Sequence, residues 1–281
     1  MTVEQLTAPD LKEKLAIALQ GWPLYRQLKY QGAAGTRLLP SAIYLHCDHA
    51  NCRSNPTTVW QTTFYTGEVN KSGLHSKTYT CRNCGDSEAS FYFLWEEDEG
   101  ESVFMKVGQY PELEERVPET LEKMLDADDL KIYKTAIRLR NFALGLGAVA
   151  YLRRVIENRM NDLLDVLYDA AKEHKIAAEV LGKLESVKND RRFSVKVDYA
   201  GDLLPDHLRP SGVPNPMGIL HDLASDGLHA RTDEDCVDIF DGCRKTFEYV
   251  FGRLRIQNEE AKAFAKTLAE LAGMKPKPAS A

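Results

Sequence analysis

The chain has 281 residues, of which 43% are apolar and 28% are charged, a composition typical of soluble globular proteins with one large or two ordinary domains. The first 127 residues carry 12 basic and 18 acidic side chains and so account for the whole net charge of −6. This acidic balance argues against general binding to duplex DNA, which requires a basic surface. The longest apolar run is too short for a bilayer span, and the first residues do not resemble a signal peptide, so we expect a cytoplasmic protein without a membrane segment.

Two short helices are predicted near the start of the chain. Residues 11–19 have helical spacing, and the sequence Gly21-Trp22-Pro23 ends that helix. Residues 24–30 are predicted to form a second short helical piece. We therefore expect residues 1–40 to form an N-terminal helical segment.

Residues 43–107 have the character of β-structure, because β-branched and aromatic residues cluster between Gly-, Asn- and Ser-containing breaks. The predicted strands are residues 57–65, 77–80, 89–95 and 102–107. The acidic run at residues 96–101 predicts a solvated hairpin tip between the last two strands.

After Pro118 the pattern becomes helical. Residues 119–125 are predicted as a short helix, residues 129–173 as a long one and residues 176–187 as another, because apolar side chains recur at three- and four-residue steps. Gly145 and Gly147 interrupt the long pattern and predict a kink, a close helix crossing or a division into two helices.

The remaining sequence predicts further helices. Residues 193–205 are expected to be an extended connector, followed by a helix that Asn215 caps and Gly227 ends. Thr232 is expected to cap a helix that runs to residue 255, and a last helix covers residues 259–273. We thus expect a helical domain over residues 111–273 and a disordered tail over residues 274–281.

Four cysteines have the spacing of a zinc ribbon. Cys47-x4-Cys52 and Cys81-x2-Cys84 are separated by 28 residues, and each pair closes a turn that points two sulfurs at one place. Four thiolates complete the tetrahedral shell of Zn²⁺ and leave no open position, which predicts a structural ion in a zinc-ribbon-like β module at residues 41–110. In an alternative set, His49 replaces one cysteine as a ligand.

The expected fold class is therefore α+β: a small β-rich zinc ribbon followed by a mainly α-helical bundle. The sequence lacks the P-loop, dinucleotide-binding, α/β-hydrolase and zincin motifs. Arg153, Arg154, Glu157, His229 and Arg231 are the candidate catalytic residues, with His229 as general acid or phosphate contact and Arg231 stabilising negative charge. The structural alternative is that Arg153 and Glu157 form a local ion pair, and that His229 hydrogen-bonds a helix end.

The segments LGAVAYLRRVIENRMNDLL and LHDLASDGLHARTDEDCVDIFDGCRKTFEYVFGRL resemble the helical domain of a group of uncharacterised bacterial zinc-ribbon proteins. That domain is similar to HEPN helical bundles, and the likeness covers about residues 130–254 together with the ribbon. The resemblance implies a helical bundle that acts in phage defence, in toxin–antitoxin pairs or as an accessory module in nucleic-acid processes.

The ribonuclease branch of the HEPN class carries an arginine that is separated from its histidine by four to six residues. Before His229, the corresponding positions hold Asp222, Leu223 and Ala224, which argues against RNA cleavage. We therefore expect a non-enzymatic, zinc-stabilised interaction protein that forms a homodimer through its helical domain and binds a protein partner or RNA. A HEPN-like ribonuclease with a non-standard site built from the five candidate residues is the alternative.

Overall fold

The computed structural model describes residues 3–33, 35–55, 57–62, 72–113, 115–173, 178–204, 208, 215–225 and 231–273. The chain divides into two compact units. The sheet unit comprises Met1–Glu115 with Arg140–Leu144, and the helical unit comprises Arg116–Leu139 with Gly145–Ala281.

Within the described residues, the sheet unit contains one α-helix and six strands. Its elements are α1 Ala8–Gly21, β1 Gln27–Gln31, β2 Ala42–His46, β3 Thr57–Gln61, β4 Gly73–Cys81, β5 Glu88–Asp98 and β6 Glu101–Tyr110. Every described pairing is antiparallel, and the strands form one curled sheet in the order β1-β6-β5-β4-β3-β2.

The inner face of the sheet and one face of α1 share a hydrophobic core. Along β5, buried residues alternate with more exposed ones, as expected for a strand with one buried face. The apolar stripe of α1 packs in the same core, and Thr7 caps the helix by accepting a hydrogen bond from the backbone N–H of Asp10. The largest buried side chains of this core are Tyr30, Tyr79, Phe91, Phe93, Trp95 and Phe104.

The predicted hairpin tip between the last two strands is confirmed. Strands β5 and β6 are joined by Glu99 and Gly100 alone, and both residues have positive φ angles, 47° and 83°. Positive φ angles at both residues are the backbone conformation that a tight two-residue hairpin turn requires.

The prediction of a small zinc ribbon is wrong. The strands form a six-stranded antiparallel half-barrel, and it includes β1 from the segment that was expected to be helical. Leu28 and Tyr30 point into the core while β1 pairs with β6, and the Tyr30 hydroxyl accepts a hydrogen bond from Nε1 of Trp95 at 2.8 Å. The described part of residues 1–40 contains both α1 and β1, within the compact unit that begins the chain.

The helical unit is built from helices that share one core. They are α2 Glu119–Glu122, α3 Ala127–Asn141, α4 Gly145–Glu173, α5 Ala178–Lys188, α6 Phe193–Leu203, α7 Pro216–Ser225 and α8 Asp233–Gly273. Helix α4 buries one face along its length and contributes Leu152, Val155, Ile156, Met160 and Leu163 to the core.

The glycines of the long helical pattern mark a division into two helices, which was one of the three predicted alternatives. Helix α3 ends at Asn141 and α4 begins at Gly145, with Ala143 in the left-handed region at φ 58°. A Cβ on Gly147 would lie 3.2 Å from Cδ1 of Leu139, so the two helices approach closely beside the turn.

Two predictions in the last third of the chain are wrong. Residues 193–203 form helix α6 rather than an extended connector, because Val197, Ala200 and Gly201 lie on one buried face. The two helices predicted over residues 232–273 are a single helix, α8.

No helix in the described part of the chain is long and apolar enough to cross a bilayer. The predicted tail, residues 274–281, lies outside the described residues.

Candidate metal centre

The four cysteines lie in two neighbouring hairpin connections of the sheet unit. Cys47 and Cys52 are in the β2–β3 connection, Cys81 ends β4, and Cys84 is in the turn that leads to β5. The backbone pairing of Trp60 with Cys81 places the two connections side by side. The sheet thus brings together thiols that are far apart in the sequence.

The sulfur atoms form a compact group. Cys47 Sγ lies 3.8 Å from Cys84 Sγ, Cys52 Sγ lies 3.8 Å from Cys81 Sγ, and all four sulfurs are within 4.8 Å of one another. A tetrahedron with Zn–S bonds of about 2.3 Å has S···S edges of about 3.8 Å. Three of the thiols are buried, and Cys84 is half-buried. The arrangement is compatible with a metal site.

Polar side chains surround the sulfurs. Asn83 Nδ2 donates to Cys52 Sγ at 3.1 Å, and Thr58 Oγ1 lies 3.1 Å from Cys81 Sγ. The Ser87 hydroxyl contacts two sulfurs, Cys47 Sγ at 3.3 Å and Cys84 Sγ at 3.5 Å. Such neighbours orient thiolate ligands and stabilise their negative charge.

The turn after Cys81 supplies backbone donors as well. Gly85 has a φ of 76°, and its N–H donates to the carbonyl of Cys81 at 2.9 Å. This left-handed conformation favours glycine. It directs the N–H groups of the turn and of Ser87 toward the sulfurs of Cys81 and Cys84.

The surroundings give the thiols different acidities. The Ser87 hydroxyl, with help from backbone N–H groups, outweighs burial and lowers the pKa of Cys84 to about 6. Burial raises the pKa of Cys81. The hydrogen bonds from Thr58 and from backbone N–H groups lower this pKa by more than burial raises it, so the net shift is downward. The Asn83 hydrogen bond lowers the pKa of Cys52, yet burial and the neighbouring thiols raise it to about 12. A cation that binds here must therefore displace a proton from Cys52.

The nearby histidines lie outside the sulfur group. The Nδ1 atom of His49 accepts a hydrogen bond from the N–H of Asn51 at 3.2 Å, and its Nε2 lies 3.5 Å from Asp86 Oδ2. Nε2 of His46 lies 2.9 Å from Asp48 Oδ1. Among the residues that the structure describes, the candidate ligand group contains the four cysteines alone, which favours them over the alternative set with His49.

Four of the five candidate catalytic residues of the helical unit lie among the described residues. Arg153 Nε and Glu157 Oε1 lie 2.7 Å apart in an i,i+4 ion pair on α4, as the structural alternative predicted, and Arg154 is exposed. Arg231 precedes α8; the hydrogen bonds of Asp235 with Thr232 lower the pKa of that carboxyl, and the charge of Arg231 adds to the shift. His229 lies outside the described residues.

The polar neighbours of the sulfurs were not predicted from the sequence. Asn83 and Ser87 stand inside and just after the Cys81-x2-Cys84 motif, so their proximity along the chain was a usable signal. Thr58 is 23 residues from Cys81, and only the pairing of β3 with β4 brings it to that thiol. Comparisons of the chain with known protein families, with curated proteins and with solved structures found no match.

Proposed function

We propose that this protein is a non-enzymatic interaction protein whose sheet unit is stabilised by a structural Zn²⁺ ion at Cys47, Cys52, Cys81 and Cys84. The observation that carries the proposal is the closed sulfur group, in which all four Sγ atoms lie within 4.8 Å of one another. Four thiolates fill the tetrahedral shell of zinc, and no position is left for water or substrate.

The chemistry of the ligands supports zinc over harder cations. Thiolates favour zinc, copper(I) and iron–sulfur clusters, whereas magnesium and calcium favour oxygen ligands. The S···S distances of 3.8 Å match the edges expected for Zn–S bonds. Binding would join the β2–β3 and β4–β5 connections, so the ion would contribute directly to the folding free energy of the sheet unit.

An interaction role is favoured over catalysis by the arrangement of the helical unit. The Arg153 guanidinium is already paired with Glu157, and Arg154 is exposed. The resemblance to HEPN-like bacterial proteins suggests a setting in phage defence or nucleic-acid processes. It also suggests a homodimer formed through the helical unit, and light scattering coupled to gel filtration would measure the mass that tests this.

Zinc content tests the central claim. Purified protein is expected to contain one zinc per chain by elemental analysis, and Cys47→Ser and Cys84→Ser should each lose zinc and unfold at lower temperature. Cys236→Ser and Cys243→Ser serve as controls because those buried thiols lie on α8, outside the sulfur group. Full-length protein without zinc, or equal zinc loss in the control variants, would refute the metal site.

An RNA cleavage assay tests the absence of catalysis. Mixed RNA is incubated with the zinc-loaded protein and with the His229→Ala variant, and we expect no cleavage by either. Cleavage by the unmodified protein that disappears in His229→Ala would refute the non-enzymatic role and establish a ribonuclease.

A further inference from the structure

The outer face of the sheet unit carries an apolar patch. Residues directly opposite each other in antiparallel strands point to the same face. Leu74 on β4 pairs with Leu94 on β5, which pairs with Met105 on β6, so these side chains form a row across three strands. Leu74 is 68% exposed. We call the following set the outer patch: Leu74, Tyr92, Leu94, Val103 and Met105.

Tyr92 enlarges this surface at one end. It lies two residues before Leu94 on β5 and pairs with Gly108 on β6, beside an irregularity in the β5–β6 register. A Cβ on Gly108 would lie 3.7 Å from Cδ2 of Tyr92, so the tyrosine packs over the glycine. The Tyr92 side chain remains 46% exposed, and its ring offers an apolar surface with a polar hydroxyl at the rim.

The opposite end of the same face is acidic. Glu96 pairs with Val103 at the edge of the outer patch, and Asp98 pairs with Glu101 beyond it, so three exposed carboxylates lie at this end. Among the described residues that pair directly with the outer patch, the one cation is Lys29, opposite Val103. The face therefore changes from apolar to negatively charged along the strands.

We infer that this face docks an amphipathic, basic segment of a partner protein. Its aliphatic side chains would cover Leu74, Leu94 and Met105, and its lysines or arginines would meet the carboxylates at the hairpin end. The inference rests on the proposed interaction role and adds the partner's chemistry to it. Docking of this kind has a hydrophobic centre with charges that set orientation and association rate.

A second copy of the chain fits this face less well. Five apolar side chains are few compared with the roughly 20–30 residues that each partner contributes to a stable interface. The three carboxylates on an identical face would also add like charges to the contact, which disfavours it. A short segment of opposite charge avoids both problems.

The test uses two matched fluorescent peptides of 18 residues and the full-length, zinc-loaded protein. Both peptides place leucines on one helical face, and the polar face is lysine in one and glutamate in the other. In fluorescence anisotropy titrations, the lysine peptide should bind saturably and the glutamate peptide should bind at least tenfold more weakly. The affinity for the lysine peptide should fall as salt rises.

Surface variants locate the binding. Leu74→Ser combined with Tyr92→Ser should weaken binding of the lysine peptide at least tenfold. Replacing Glu96, Asp98 and Glu101 by their amides should weaken it and reduce its salt dependence. Tyr44→Ser is the matched control, because Tyr44 is a 63% exposed aromatic residue on β2 that lies outside the outer patch.

The following outcomes would overturn the inference: no saturable binding of the lysine peptide, equal binding of both peptides, or unchanged binding in the Leu74→Ser, Tyr92→Ser variant. Self-association in sedimentation experiments that the same variant abolishes would also overturn it in favour of a second copy. Zinc content and circular dichroism are measured for every variant. If a variant is folded and retains its zinc but does not bind the peptide, the changed surface is the cause. If a variant loses its zinc, the metal site has been disturbed.

Discussion

Gly145, the first residue of α4, lies against Asp233, the first residue of α8. The N–H of Leu146 donates to Oδ1 of Asp233 at 2.8 Å, so the acid that begins α8 also satisfies a free donor at the beginning of α4. A Cβ on Gly145 would overlap the carbonyl oxygen of Asp233 and would lie 2.6 Å from the backbone nitrogen of Val237. The close approach of the two helices therefore requires glycine at this position.

Gly145→Ala should destabilise the helical unit by about 1–3 kcal/mol, because the added methyl group meets backbone that cannot rotate away. The measurement is urea unfolding followed by circular dichroism at 222 nm. Gly242→Ala on α8 is the matched control, since nothing lies within 4 Å of its added Cβ, and it should be stabilising by up to about 1 kcal/mol. Equal stability of the two variants would show that α4 and α8 are further apart than described.

A second close contact, between Gly201 on α6 and Asn215 before α7, predicts non-additive effects. A Cβ on Gly201 would overlap the Asn215 side chain, whose Oδ1 accepts the N–H of Met217 at 2.9 Å and caps α7. Asn215→Ala should cost about 1 kcal/mol through loss of the cap. Gly201→Ala should be destabilising because it displaces the same cap.

The double variant should cost less than the sum of the two single variants, since the cap is lost only once and the smaller alanine side chain at position 215 relieves the overlap. Denaturant unfolding of all four proteins gives the interaction energy. Strictly additive costs would mean that Gly201 and Asn215 do not contact each other in solution.

Ser87 is expected to tune zinc affinity, because its hydroxyl contacts the sulfurs of both Cys47 and Cys84. Ser87→Ala should weaken zinc binding by roughly 10- to 100-fold, the range typical of lost outer contacts to metal ligands. Competition with a chelator of known affinity measures the change. Ser90→Ala is the control, since Ser90 Oγ bonds Thr78 Oγ1 at 2.8 Å, away from the sulfur group. An unchanged zinc affinity in Ser87→Ala would exclude this role.

Lys106 should make stability depend on pH. Its Nζ donates to the carbonyl of Leu19 at 3.1 Å and to Oε1 of Gln109 at 2.8 Å, which uses both N–H groups of a neutral amine. Burial, together with the charge of Arg140, lowers the pKa of Lys106 to about 7. Unfolding returns it to about 10.4, so the unfolded chain binds one more proton between these values.

The free energy of unfolding should therefore rise as the pH increases from about 7 toward 10, and Lys106 contributes at most about 1.4 kcal/mol per pH unit to this rise. Below about pH 6 the lysine is protonated in both states, so it should add no pH dependence there. Lys106→Met lacks the group, so the difference in free energy of unfolding between the two proteins isolates its contribution. Urea unfolding at pH 6, 7, 8 and 9 measures that difference. A difference that does not change over this range would mean that the lysine stays charged in the folded protein.

Features that depend on neighbours within a few residues followed from the sequence. Asn215 caps α7, Thr232 accepts the N–H of Asp235 at the beginning of α8, and the glycines near residue 145 divide the long helical pattern. The two caps depend on hydrogen bonds inside a single turn, and the glycines lower the stability of a continuous helix locally. The two cysteine motifs belong to the same class, since each is defined by a short loop.

Features that depend on residues distant in the chain could not be predicted from the sequence. Segment 24–30 was predicted to be helical, yet residues 27–31 form β1 because β6, 70 or more residues away, supplies their backbone partners. Residues 193–203 carry an alternating pattern that suggests an extended chain, but packing in the helical unit selects the face with Val197, Ala200 and Gly201. Local preference for either conformation is worth only fractions of a kcal/mol per residue, so burial against a distant partner decides.

By itself, the sequence determined which thiols pair within each loop, where several helices begin, and that a β-rich segment precedes the helices after Pro118. Only the tertiary structure decided that six strands of the described chain form a curled sheet, that Thr58 stands beside Cys81, and that exposed Leu74 forms one row with half-buried Leu94 and Met105. Register between distant strands sets these contacts, and register is a property of the assembled sheet.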